Sequence, residues 1–139
     1  MDTQNLYREE ILEHYRNPQN FGKLTKYDVF SKQLNPFCGD EIEIYVQFEG
    51  RKEGVNSDHL EGVASNMSFV GKGCAISIAA ASMLTEHAKG KTKKELTKFS
   101  DSDMLDLLGI EVSETRKKCA LLALSALRDC LEYGFKSKS

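Results

Sequence analysis

Three cysteines placed far apart in the chain, each at a turn or near the start of a helical run, constrain the fold more than any other feature. Cys38 lies in Asn35-Pro36-Phe37-Cys38-Gly39-Asp40-Glu41, Cys74 lies 36 positions later, and Cys119 another 45 beyond that. These separations are far too long for a zinc finger or knuckle. If the thiols share one site, distinct secondary-structure elements must bring them together. Cys38 and Asp40 can face one ion if the residue between them bends sharply, and Gly39 can take the positive φ that such a bend needs.

The residues leave two readings open. On composition alone, three unrelated core cysteines weigh as much as a ligand set. Local context favours ligands, because Cys74 follows Gly71-Lys72-Gly73 and Cys119 follows Arg116-Lys117-Lys118. Helix N-termini and nearby ammonium groups lower a thiol's pKa and favour the thiolate that binds metal or attacks sulfur. Thiolates are the soft ligands of zinc and iron-sulfur clusters, and a tetrahedral site wants four donors, so Asp40 is the candidate fourth. Its alternative is a turn aspartate that satisfies backbone amides. Cys130, eleven residues after Cys119 on the same expected helix, would lie about 16 Å away along the axis. It is read as a core cysteine. His87 falls about 20 Å from Cys74 by the same rise and is read as a helix-end residue favourable to the dipole. His14 and His59 have no motif around them.

Hydrophobic periodicity supplies the frame for these residues. Tyr7, Ile11 and Tyr15 form a stripe on a first helix over 5–14, which Asn17-Pro18 ends. Strands are expected over 27–34, 42–48 and, less regularly, 59–70, the last with Val63, Met67 and Phe69 toward the core. A polar turn falls over 49–54. Ala79, Ala80, Ala81 and Ser82 would let a helix over 75–88 approach the sheet closely, with Ile76, Met83 and Leu84 filling gaps. Thr92 with Glu95 matches a capping box, Ser100 with Asp103 matches one more weakly, and a last helix runs over 115–133 with Ala120, Leu124, Leu127 and Leu131 buried. The tail Lys136-Ser137-Lys138-Ser139 reads as unstructured. The expected fold is therefore α+β: a three-stranded antiparallel sheet covered on one face by helices, with a long C-terminal helix. With 139 residues, 40% of them hydrophobic, one domain over 1–139 with one core is expected.

Asn35-Pro36-Phe37-Cys38-Gly39-Asp40, Gly73-Cys74-Ala75-Ile76-Ser77 and Lys118-Cys119-Ala120 resemble the three cysteine motifs of the iron-sulfur cluster assembly scaffold family, the IscU and SufU proteins and the NifU N-terminal domain. The likeness begins at Tyr7, runs through Tyr15-Arg16-Asn17-Pro18 and reaches the last helix. It implies a scaffold rather than an enzyme, on which Cys38, Asp40, Cys74 and Cys119 hold a transient [2Fe-2S] cluster, with Asp40 helping the cluster leave. It implies a cysteine desulfurase and acceptor apoproteins as partners. The second reading is a zinc-dependent sulfur carrier, a sulfurtransferase of SufU type, in which Cys38, Cys74 or Cys119 accepts a persulfide.

Lys118 separates the branches. The IscU branch has a histidine there, whereas a protonated lysine has no lone pair to offer a metal. Lys118 is expected to modulate the site by pairing with Asp40 or stabilising the Cys119 thiolate. The Lys-Cys pair resembles SufU, yet the insertion that branch carries between its second and third cysteines is missing, and the additional residues fall around 51–59. No Leu-Pro-Pro-Val-Lys segment precedes Lys118, so the dedicated Hsp70 chaperone of the IscU branch is not expected.

Charge and hydropathy exclude other classes. A net charge of −2 with interspersed signs gives no case for nucleic acid. Lys89-Gly90-Lys91-Thr92-Lys93-Lys94 is a solvated loop or a small basic patch for an acidic protein partner. No apolar run is long enough to cross a membrane, and the first residues lack the pattern of a signal peptide, so a reducing cytoplasm is expected, where free cysteines persist.

Overall fold

A computed structural model of the chain describes residues 3–36, 39–49, 62–132 and 135–136. Its centre is β2 (Asp40–Glu49), where Ile42, Ile44, Val46 and Phe48 alternate onto one face and are all buried. β2 pairs antiparallel with β1 (Val29–Asn35) on one side and β3 (Val63–Lys72) on the other. Met67 opposes Val46 and Phe69 opposes Ile44, so the two central strands share an apolar face. The expected inward residue Val63 is only half-buried, and Ala64 is buried in its place. Gln47 pairs with Asn66 while Phe48 pairs with Ala64, so Ser65 is the extra residue of a bulge that reverses the alternation beyond it.

The helices lie over that face: α1 (Thr3–Arg16), α2 (Ala75–Ala88), α3 (Lys93–Thr97), α4 (Asp101–Leu108) and α5 (Glu114–Glu132). α2 packs against α1, α4, α5 and the sheet together. A helix touched on so many sides is apolar around its whole circumference, and Ala79, Ala80, Ala81, Ser82 and Leu84 are fully buried. α5 covers β1 and β2 through Ala120, Leu124, Leu127 and Leu131, as its spacing predicts. Where β1 offers Ser31 and Gln33 to the helix layer, Asp129 of α5 accepts hydrogen bonds from both side chains. On the opposite face Tyr27, Phe30 and Tyr45 cover one another, with ring centroids 5.0–5.7 Å apart.

Several local expectations are modified. Ile11 of α1 is buried, but Tyr15 is 43% exposed, and the side chain of Tyr7 lies outside the described set. Ser100 and Asp103 form the complete, reciprocal capping box, whereas the Glu95 carboxylate bonds the Thr92 hydroxyl and not the cap's backbone N–H. Phe135–Lys136 adds a two-residue strand, β4, to the free edge of β1, so Lys136 is ordered in the sheet. The sheet order is thus β3-β2-β1-β4. The polar turn at 50–54, His59, Tyr133 and the tail 137–139 lie outside the described residues.

The outer edge of β3 is covered in two places. Asn20, in the left-handed region at φ 61°, turns the chain so that its carbonyl accepts from Phe69 N–H and Gly22 N–H donates to Phe69 carbonyl. Further along, Ala64 exchanges hydrogen bonds with Gly90 and Lys91. Both segments remove the unpaired backbone groups of an edge strand. They also tie the second half of α2 to the sheet edge, because Gln19 N–H bonds Ser82 and the Asn20 side chain bonds Thr85, while Gly90 and Lys91 directly follow the helix.

Candidate metal centre

The β1–β2 hairpin delivers Asp40. Gly39 N–H closes the turn on the Asn35 carbonyl at 2.8 Å, and Gly39 takes φ 74°, the left-handed conformation expected of it. Asp40 then opens β2 opposite Asn35 and is only 3% exposed. Cys38, in the same turn, lies outside the described residues.

Cys74 arrives from β3. Lys72 pairs with Glu41 and ends the strand, Gly73 makes the corner, and Cys74 is the N-cap of α2 in extended backbone conformation. A Cβ on Gly73 would lie 2.6 Å from Asp40 Cγ and 2.7 Å from Ser77 Oγ. Only glycine leaves the carboxylate room to sit against this corner. Cys119, 3% exposed, comes from the second turn of α5.

The three segments converge. One oxygen of Asp40 and the sulfurs of Cys74 and Cys119 all lie within 4.8 Å of one another, and among the described residues no other trio of His, Cys, Asp or Glu donors does so. A tetrahedral ion with metal–sulfur bonds of about 2.3 Å places its donors about 3.8 Å apart. Cys74 Sγ and Asp40 Oδ2 are already 3.6 Å apart, so the trio fits a thiophilic ion with a closure of at most about 1 Å, and two soft sulfurs with one harder oxygen suit zinc or iron.

Electrostatics favour a thiolate at Cys74. Burial pushes this thiol up and the Asp40 charge adds to that, but the Ser77 hydroxyl, the Ser77 backbone N–H and the Cys119 thiol outweigh both, and the pKa falls below the ordinary cysteine value. The Asp40 carboxylate lies at the positive end of α2, where Cys74 N–H donates to its Oδ1 at 3.3 Å. Lys32 at 3.2 Å and Lys72 at 3.5 Å flank the neighbouring Glu41, and the Lys32 hydrogen bond leads in holding that carboxyl below its usual range. Lys118 is exposed, one residue before Cys119.

The remaining candidates belong to the packing. Cys130 is buried with its thiol on the Ile44 carbonyl at 3.6 Å, and burial pushes its pKa far up, so it is inert. His87 sits in the last turn of α2, but burial and then the Lys91 charge lower its pKa, so at neutral pH it packs as an uncharged ring 5.1 Å from Phe99 and does not serve the dipole. His14 bonds Ser82 at 2.7 Å and fastens α1 to α2. Gly73 and Ser77 stand in the sequence as the flanks of Cys74, and neither the close approach of Asp40 to Gly73 nor the bond from Ser77 to Asp40 is visible there. The signal for Ser77 is a cysteine at a helix entry with a serine three residues on, the spacing of a cap and its N3 partner.

Residues 6–139 match the model of the NifU-like N terminal domain. The chain belongs to the iron-sulfur cluster assembly scaffold family that comprises the IscU, SufU and NifU N-terminal proteins. It is 34% identical over 131 residues to Archaeoglobus fulgidus "Iron-sulfur cluster assembly scaffold protein IscU 1", covering 94% of this chain and 78% of that protein. It is 36% identical over 144 residues to the Bacillus subtilis "Zinc-dependent sulfurtransferase SufU", with 91% and 88% covered. Among solved structures, a Fervidobacterium islandicum protein described as a candidate cluster assembly scaffold for the SUF system superposes with a TM-score of 0.71 at 26% identity, over 94% of this chain and all of that one. No helix among the described residues is long and apolar enough to cross a membrane.

Proposed function

We propose that this chain is a single-domain scaffold on which a [2Fe-2S] cluster is assembled and from which it is passed to acceptor apoproteins, with sulfur supplied by a cysteine desulfurase. Cys38, Asp40, Cys74 and Cys119 are the ligands. The observation that carries this reading is the convergence of Asp40, Cys74 and Cys119 from three separate segments into one donor set. A carboxylate beside thiolates is a harder and more weakly held ligand for a soft centre, which suits a cargo that must leave. A permanent structural zinc would call for four strong ligands. Lys118, beside Cys119, offers an ammonium to the Asp40 carboxylate or to the Cys119 thiolate. The site works in a reducing cytoplasm.

A zinc-dependent sulfur carrier is the second reading, favoured by the half-exposed, acidified thiol of Cys74 and by the Lys118-Cys119 pair. In that case Cys38, Cys74 or Cys119 attacks the outer sulfur of the desulfurase persulfide. The sulfur–sulfur bond breaks, its electron pair leaves on the desulfurase cysteine, and the sulfur remains on this chain. Metal and sulfide analysis of anaerobically purified protein, followed by absorption and Mössbauer spectroscopy after adding iron and sulfide, separates the two. The scaffold reading predicts equal iron and sulfide with thiolate-to-iron charge-transfer bands. Stoichiometric zinc that iron and sulfide do not displace would favour the carrier.

A further inference from the structure

Ser77 has no role in the ligand set, yet its side chain is fully buried beside it. Its hydroxyl lies 2.9 Å from Asp40 Oδ2, 3.0 Å from the Cys74 carbonyl and 3.6 Å from Cys74 Sγ. A hydroxyl has one proton to donate. The Cys74 carbonyl already accepts from Ile78 N–H at 3.2 Å, and a bond to a carboxylate is the stronger, charge-assisted one. Asp40 Oδ2 at 2.9 Å is the nearest of the three acceptors, so the proton goes chiefly there, and the 3.6 Å contact with Cys74 Sγ is the weaker one. Because Cys74 N–H holds Oδ1, both oxygens of Asp40 are gripped by the first turn of α2, the same turn that presents the Cys74 sulfur. Gly73 leaves the space in which this grip forms.

We propose that Ser77 is the positioning residue of the metal centre: its hydroxyl fixes the Asp40 carboxylate against the Cys74 thiolate, so that oxygen and sulfur reach an incoming thiophilic ion as one preformed pair. This rests on Asp40 and Cys74 being ligands, as argued above. Outer partners that orient a ligand typically contribute 10–100-fold in metal affinity. Serine to alanine at a buried helical position removes one oxygen without disturbing helix propensity, so the Ser77→Ala protein keeps its fold.

Cobalt(II) is the probe, titrated anaerobically into metal-free protein and read through sulfur-to-cobalt charge transfer and the d–d bands. Ser77→Ala is expected to weaken binding by about tenfold or more and to move the d–d envelope toward that of Asp40→Ala. Gly73→Ala, which pushes the carboxylate away instead of releasing it, is expected to do the same. In the Asp40→Ala background Ser77→Ala should not alter affinity by more than about twofold, because the group it positions is gone. Equal affinity of Ser77→Ala and wild type, or equal losses with and without Asp40, would overturn the proposal. A wild type that shows no sulfur-to-cobalt bands would instead remove the ligand assignment on which it rests.

Discussion

Gly71→Ala is a severe test of how the site is positioned, because this glycine sits at the end of β3, two residues before the corner that meets Asp40. A Cβ there would overlap the Glu41 carbonyl oxygen and lie 2.8 Å from Ile42 Cδ1 and 3.3 Å from Ile42 Cα. Two of these neighbours are backbone of the paired strand, which cannot swing aside, so the upper end of the overpacking range applies, about 3 kcal/mol. A chain of 139 residues unfolds with an entropy of about 0.3 kcal/mol/K, so the midpoint should fall by about 10 °C. Gly90→Ala is the control: it has φ 86° and nothing within 4 Å. It meets only left-handed strain of about 1 kcal/mol, or about 3 °C. Thermal unfolding followed by circular dichroism, in reductant and chelator, gives both values. If Gly71→Ala melts within about 2 °C of wild type, or no lower than Gly90→Ala, the close approach of β2 and β3 beside Asp40 does not matter as argued.

Other expectations follow from the same geometry. Iodoacetamide at pH 7.5, mapped by mass spectrometry on metal-free protein, should label Cys74 well ahead of Cys130, because one thiol is lowered and the other raised; equal labelling would contradict the assignment. Cys119→Ser should abolish stable cluster loading, since a hydroxyl is a hard, protonated donor at neutral pH, whereas Cys130→Ala should load fully and lose only stability. Asp40→Ala should retain three thiolates but bind zinc at least tenfold more weakly and release an assembled cluster more slowly; unchanged zinc affinity and transfer rate would return Asp40 to the role of a turn residue. Zinc should raise the melting temperature by mass action and a chelator should reverse it, because the ion ties the hairpin, α2 and α5 together.

The parts of this molecule that could be read from sequence are those set by local rules. Strict alternation identified β2 and its buried face, and a glycine between two candidate ligands identified the left-handed turn at Gly39. Helical rise placed Cys130 away from Cys119. What escaped depends on tertiary pairing. The bulge at Ser65 exchanges Ala64 for Val63 because of how β3 meets β2, which no period within β3 reveals. The pairing of Phe135–Lys136 with Val29 and Phe30 joins segments more than 100 residues apart. Asp40, Cys74 and Cys119 were identified by residue type and context, but Ser77 was not, because a serine inside an Ala-rich helix reads as a small packing residue until Asp40 is placed beside it.

The most direct test of the account is cluster transfer. Wild-type protein loaded anaerobically with iron and sulfide is mixed with an apo-ferredoxin that accepts a [2Fe-2S] cluster, and the circular dichroism of both proteins is followed in the presence of an iron chelator. The account predicts that the scaffold signal decays as the holo-ferredoxin signal rises, with little iron intercepted by the chelator. A protein that takes up no cluster, or that keeps it while the ferredoxin stays apo, would contradict it.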